Sequence, residues 1–168
     1  MTEKDLKKLG LELQSDGTYK KARTKKKKAK NKSSQRDQIR ICDIDSNVQV
    51  EGNSWEFRWA NKHVSLNDWY SSKHWTVRNK QKQSWHKLFG QMIESAEMGE
   101  IKKYEIHLEF NSRLDPSNTI TMIKLFEDTM TKKGVIIDDN KKYCKRIVIE
   151  PNLLFAQREY KITVVKLE

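Results

Sequence analysis

The sequence has few cysteines, no long apolar run and too few acidic residues to balance its basic ones. Its 168 residues include two cysteines, Cys42 and Cys144. Two cannot build a disulfide framework, and neither stands at zinc-ligand spacing from the other or from the four scattered histidines. No stretch approaches the roughly 20 apolar residues of a membrane helix, and no apolar segment near Met1 reads as a signal peptide. No internal repeat is present. These absences predict a soluble, intracellular protein with reduced cysteines. Acidic residues number 23 against 34 Lys+Arg, a net charge of +11. The partners such a balance selects are polyanions, nucleic acid above all.

The charge is unevenly spread. Residues 1–40 carry 14 basic and 5 acidic side chains, net +9, whereas residues 41–168 carry 20 and 18, net +2. The run from Tyr19 to Lys32, YKKARTKKKKAKNK, has no aliphatic side chain larger than alanine. It buries too little to offset the entropy of ordering, so residues 1–38 are expected to form a basic, largely disordered tail. Leu6, Leu9 and Leu13 have the spacing of a short helix face. The lysine run is compatible with a solubilising tail, a sequence-blind arm on phosphates or a localisation signal.

Residues 39–168 carry the periodicities of a folded domain. Residues 39–51 alternate as strand about a turn at Asp45–Asn47. Ser54–Ala60 alternates Trp55, Phe57 and Trp59 on one face. A loop with Ser65-Leu66-Asn67 follows. A helix is predicted over 75–98, its stripe Trp85, Leu88, Phe89, Met92, Ile93 and Ala96, with Gly99 as its stop. Tyr104–Phe110 is a strand. Asn118–Thr131 is a helix with Met122, Ile123, Phe126 and Met130 inward and Gly134 at its C′ position. Val135–Ile137, Arg146–Glu150 and Tyr160–Leu167 are the remaining strands. The order predicts an α+β domain, a mixed β-sheet with helices packed on one face.

Asp115 falls between a strand and a helix, and Asp138 and Asp139 follow the strand after that helix. A strand–helix–strand unit can bring both ends to one sheet edge. Paired carboxylates beside basic surface are what Mg²⁺-dependent phosphodiester cleavage uses. The same residues also suit plain structural work: Asp115-Pro116 as a turn, Asn118 as a cap, and Asp138-Asp139-Asn140 as a hairpin loop. Lys73, His74, Arg78, Lys80, Lys82 and Lys87 crowd the start of the long helix, with Trp69, Tyr70 and Trp75 among them. Cations interleaved with aromatics suit backbone contact and base stacking. The tryptophans equally suit a core. His74 and His86 read as structural residues or phosphate contacts.

Together these residues resemble the RusA-like Holliday-junction resolvase family of phages and prophages. The family has Asp-x-Asp-Asn entering a helix, a Lys and an Asp four apart on it, then Gly-x-x-x-Asp-Asp. This chain has Asp115-Pro116-Ser117-Asn118, then Lys124 and Asp128, then GVIIDD from Gly134 to Asp139. SLNDWYSSKHWTVRNKQKQSWH, from Ser65 to His86, also looks like phage-type members. The resemblance spans about Trp55 to Leu167. It implies a RusA-like fold and a homodimer that resolves four-way DNA junctions with Mg²⁺ or Mn²⁺. Asp115, Asp138 and Asp139 would be metal-binding. Asp115, Asp139 and Lys124 would be catalytic, the lysine stabilising charge at the scissile phosphate. The candidate DNA contacts are Asn67, Lys73, Arg78, Lys80, Lys82, Arg113 and Asn118. The resemblance implies a bacterial cytoplasmic setting, with no membrane and no small-molecule cofactor. Ser117 stands in place of the second carboxylate, and Asp115 precedes Lys124 by nine residues, about one turn more than usual. Glu127 and Glu109 are the candidate replacements. The alternative is a junction-binding relative without cleavage. The tryptophan-rich strand and the apolar helix stripe are the candidate dimer interface.

Overall fold

The structure, a computed structural model, describes residues 11–13, 19–21, 46–71 and 74–167. The chain divides into two units, Met1–Gln35 and Arg36–Glu168. In the first unit, β1 (Leu11–Leu13) and β2 (Tyr19–Lys21) pair antiparallel, with Leu13 opposite Tyr19. Leu13 is therefore strand rather than part of a helix face, and the first residues of the predicted disordered run are strand too. Leu6, Leu9, residues 22–32, Ile41, Cys42 and Asp43 lie outside the described residues.

The second unit is a mixed α+β domain. Its strands are β3 (Ser46–Glu51), β4 (Ser54–Ala60), β5 (Lys103–Asn111), β6 (Cys144–Pro151) and β7 (Glu159–Leu167). Its helices are α1 (Leu66–Tyr70), α2 (Trp75–Ser95) and α3 (Pro116–Lys132). The sheet order is β3-β4-β7-β5-β6. Among the described strands of this sheet, β5 and β6 alone pair parallel, and α3 lies in the crossover that such a pair requires.

Alternation builds the core. Trp55, Phe57 and Trp59 on β4, Tyr104, Ile106, Leu108 and Phe110 on β5, and Tyr160, Ile162 and Val164 on β7 are all buried. They meet Trp85, Phe89 and Met92 of α2 and Met122, Ile123 and Phe126 of α3 in one cluster. Trp59 stacks on Tyr160, centroids 5.5 Å apart, and meets Phe89 edge-on at 5.4 Å; Phe89 and Phe126 close the seam between helices at 5.2 Å. Burying each such side chain is worth about 1.5–3 kcal/mol. The strand and the helix stripe proposed as a dimer interface are thus spent inside one subunit. Among the described residues, no helix is long and apolar enough to cross a membrane.

Several boundaries differ from the sequence reading. Ser46 and Asn47 are strand, paired with Trp59 and Arg58, rather than turn. Helix α2 stops at Ser95, where its last turn tightens: Glu97 N bonds Glu94 O, three residues back, at 3.2 Å, and Ser95 Oγ donates to Met92 O at 2.8 Å. Glu97, at φ +48°, takes the left-handed position expected of Gly99. Val135–Ile137 contributes one parallel bridge, Ile136 to Ile101, and no strand. Gly134 does sit at C′ of α3, at φ +72°.

Candidate functional site

Helix α3 carries the site, and its ends are set by local chemistry. Pro116 occupies the first helical turn, where a missing N–H costs nothing, and Asp115 is the N-cap residue. The Asp115 side chain makes no capping bond; among the described residues its hydrogen bond is from Asn118 Nδ2, at 3.4 Å. The carboxylate is exposed and open to a ligand.

Lys124 lies halfway along α3, about 13 Å of helix axis from Asp115. Its ammonium pairs with Asp139, on the segment beyond the helix, and with Asp128 Oδ1 at 3.3 Å one turn on. Asp128 Oδ2 in turn pairs with Lys82 of α2 at 3.0 Å. The result is an alternating row, Lys82–Asp128–Lys124–Asp139, joining two helices and a loop. Burial pushes the Asp128 carboxyl up, but the two lysines outweigh it and hold it below the ordinary carboxylate range. Asp128 is the central bridge of this row, a structural carboxylate between two lysines.

Asp138 is engaged locally. It accepts from Asp139 N at 2.8 Å and from the Asn140 side chain, so it shapes its own loop. Because Ile136 bridges to Ile101, just before β5, Asp138 and Asp139 lie at the start of β5, whereas Asp115 lies beyond its far end. Among the described residues, no contact joins Asp115 to Lys124, Asp138 or Asp139, and no group of three or more His, Cys, Asp or Glu could hold a metal ion. A magnesium ion needs less than that, since it is commonly held by one or two carboxylates plus substrate phosphates and waters. Asp139 with its neighbour Asp138 fits that smaller donor set; Asp115 is not part of it.

The two substitutes for the missing carboxylate are both engaged elsewhere. Glu109 alternates with the buried Leu108 and Phe110, so it lies on the sheet face away from the core. There it pairs with Lys161 and accepts from Asn152 Nδ2 at 2.8 Å. Glu127 is 4% exposed and accepts from Tyr104 OH at 2.7 Å. Burial pushes the Glu127 carboxyl up, against the bond from Tyr104. Burial and Glu127 together raise the Cys144 thiol to about 11, so it stays protonated and unreactive.

His86 underlies the row. Thr129 Oγ1 spends its proton on Leu125 O at 2.6 Å, so it must accept from His86 Nδ1 at 2.7 Å. That fixes the tautomer and leaves Nε2 a buried lone pair with no partner. Burial, then Lys132 and Lys82, lower the His86 pKa to about 4. His86 is thus a neutral structural residue.

The DNA-contact candidates separate. Lys82 is committed to Asp128. Arg78 reaches toward Trp69 O at 3.5 Å, His74 caps α2, Lys80 and Lys87 are exposed, and Lys73 lies outside the described residues. Trp69 packs on the core, whereas Tyr70 and Trp75 are 75% and 63% exposed. Asn67 is exposed on α1, a helix where the sequence reading has a loop. Ser65 Oγ accepts from Asp68 N at 3.1 Å and donates to Asp68 Oδ2 at 2.8 Å. That reciprocal S-x-x-D capping pattern, SLND, is a helix-start signal standing in the sequence. Arg113 lines a cleft beyond β5.

No family model matches the chain, and no curated protein is similar to it in sequence.

Proposed function

We propose that the chain is a RusA-like, structure-selective endonuclease that cleaves four-way DNA junctions by metal-dependent phosphodiester hydrolysis. The observation that carries this reading is the meeting of Lys124 with Asp139, two residues singled out by their motif spacing and separated by half of α3 and the Gly134 turn. Asp139, with Asp138 beside it, would hold a Mg²⁺ or Mn²⁺ ion together with the substrate phosphate. A bound ion of this kind activates water and offsets phosphate charge. Lys124 is 57% exposed, so its ammonium can turn from the carboxylates to a phosphate oxygen and stabilise negative charge as it grows. Asp128, anchored by Lys82, aims that lysine. Exposed Tyr70 and Trp75 offer stacking surfaces for bases unpaired at a branch point. A four-way junction has two equivalent scissile phosphates, so a two-fold homodimer with one site per subunit is the fitting assembly.

The test is cleavage of a labelled synthetic four-way junction with Mg²⁺ or Mn²⁺, beside linear duplex and an EDTA control. Symmetric paired nicks, confined to the junction and dependent on metal, are expected. A second reading is a junction-binding relative without cleavage. Ser117 in the motif and the distance of Asp115 from Asp139 favour it. Tight junction binding with no nick under any metal would decide for that reading.

A further inference from the structure

Beyond the end of β5 the chain forms a cleft of about 420 Å³ lined by His63, Ser112, Arg113, Leu114, Gln157 and Arg158. Apart from Leu114, every lining side chain is polar or cationic, and none is a carboxylate. Neither arginine forms an ion pair with a described carboxylate, unlike Arg58, Lys82, Lys124 and Lys161 in the same domain. Two unneutralised guanidinium groups sharing one concavity repel each other unless an anion joins them.

The backbone holds Arg158 there at a cost. Its φ is +66°, a conformation that favours glycine. It is pinned on both sides: Arg158 N donates to Asn111 O at 2.6 Å, and Arg158 O accepts from Asn61 N at 2.9 Å. Asn61 is itself at φ +67°. Strain of this kind persists where the surroundings impose it, and it gathers at binding sites.

The histidine adds a polar ring. Tyr160 OH lies 3.0 Å from His63 Nδ1, so the imidazole is anchored at the cleft wall by the phenol. Burial first, and the nearby Arg158 charge, hold the His63 pKa below its ordinary value although Asp68 opposes them. An imidazole, a serine hydroxyl, a glutamine amide and two guanidinium groups make a set suited to phosphate oxygens.

We propose that this cleft binds a backbone phosphate of a DNA strand, with Arg113 and Arg158 as its two cationic contacts. Arg113 is two residues before Asp115, so a strand seated here continues onto the N-terminal turn of α3. The inference rests on the reading that the chain binds DNA, but not on cleavage.

The test compares wild type with R113A, R158G and the double variant. Glycine suits φ +66°, so R158G removes the charge while relieving the backbone. Binding to a labelled four-way junction is followed by anisotropy in EDTA between about 50 and 200 mM salt, with circular dichroism melting as the check on folding. Each arginine lost is expected to reduce the slope of log affinity against log salt by about 1, with weaker binding at every salt. Folded variants with unchanged slope and affinity overturn the proposal, whether or not wild type cleaves. Reduced slopes in a protein that neither prefers junctions nor cuts them sustain the proposal and overturn the endonuclease reading. A wild type that binds no DNA overturns both. In a second arm inorganic phosphate is titrated while the His63 ring signals are followed by NMR. Saturable shifts with unchanged DNA slopes would make the cleft a small-anion site and overturn the strand assignment.

Discussion

Lys124 and Asp139 form an ion pair across the surface between the middle of α3 and the segment that follows it. Each therefore keeps the other from binding elsewhere until a competing ion or phosphate arrives. In the proposed reaction Asp139 exchanges Lys124 for the metal, and Lys124 exchanges Asp139 for phosphate. Asp139→Asn is then expected to abolish nicking while junction binding, read by gel shift, is kept or tightened, because a negative charge facing the phosphate is gone. Equal nicking by mutant and wild type would remove Asp139 from the chemistry.

Ser117→Asp restores the second carboxylate of the motif in the first turn of α3, which contains no acidic residue. Ser117 is exposed, so nothing is displaced. The new charge meets the positive end of the helix and is expected to stabilise the fold by about 0.3–1 kcal/mol, seen as a higher Tm. On the endonuclease reading it also raises metal-dependent nicking. A stability gain without any change in nicking would show that this turn lies outside the metal site.

Tyr104 supplies the hydroxyl proton that Glu127 accepts inside the core. Tyr104→Phe leaves a buried carboxyl without that donor, at a cost of about 1–3 kcal/mol in urea unfolding. Because burial raises the Glu127 pKa, the stability linked to it is present below the ordinary glutamate pKa and is lost as pH rises through the folded value. Glu127→Gln should abolish that loss.

His86 and Asp128 lie close together and titrate in separate windows. The His86 pKa falls from 6.5 in the unfolded chain to about 4 in the fold. Above pH 6.5 both states are neutral there and stability is full; between 6.5 and about 4 only the unfolded chain takes up the proton, so stability drops. The Asp128 pKa lies below 3.8, so its share is lost only as pH falls further, through that depressed value. Thermal melts of His86→Leu at a series of pH values should lack the first drop and keep the second.

Residues 1–35 carry 12 basic and 4 acidic side chains, net +8. Removing them leaves all five strands of the sheet and the three helices found among the described residues. The truncated protein is expected to bind DNA more weakly and with a flatter salt dependence. An unchanged salt slope would mean that these residues make no phosphate contact.

What the sequence disclosed followed the range of the physics involved. Strands β4, β5 and β7 were legible because Trp55-Phe57-Trp59 and its counterparts alternate without interruption, and burial on one face leaves no other register. Helix α1 was legible in principle, through Ser65 and Asp68, but five residues show too little periodicity to outweigh a loop. The meeting of Lys124 with Asp139 was foreshadowed only by motif spacing. The separation of Asp115 from Asp139 was not, because it depends on Val135–Ile137 bridging to the start of β5 instead of running alongside it. The engagement of Glu127 by Tyr104 and of Glu109 by Lys161 also needed three dimensions, since each pair joins residues remote in sequence.

Strand β7 is the last strand in sequence and the middle one in space, paired with β4 on one side and β5 on the other. Until it has left the ribosome, the β3-β4 hairpin and the β5-β6 pair have no shared neighbour, and Trp59 lacks the ring of Tyr160 on which it stacks. The domain cannot assemble progressively as it is translated. A chain stopped between Pro151 and Glu159 therefore holds the β3-β4 hairpin and the β5-β6 pair as disconnected fragments with bare apolar faces, the kind of product that quality-control proteases clear, so truncation there should cost the whole fold rather than one strand.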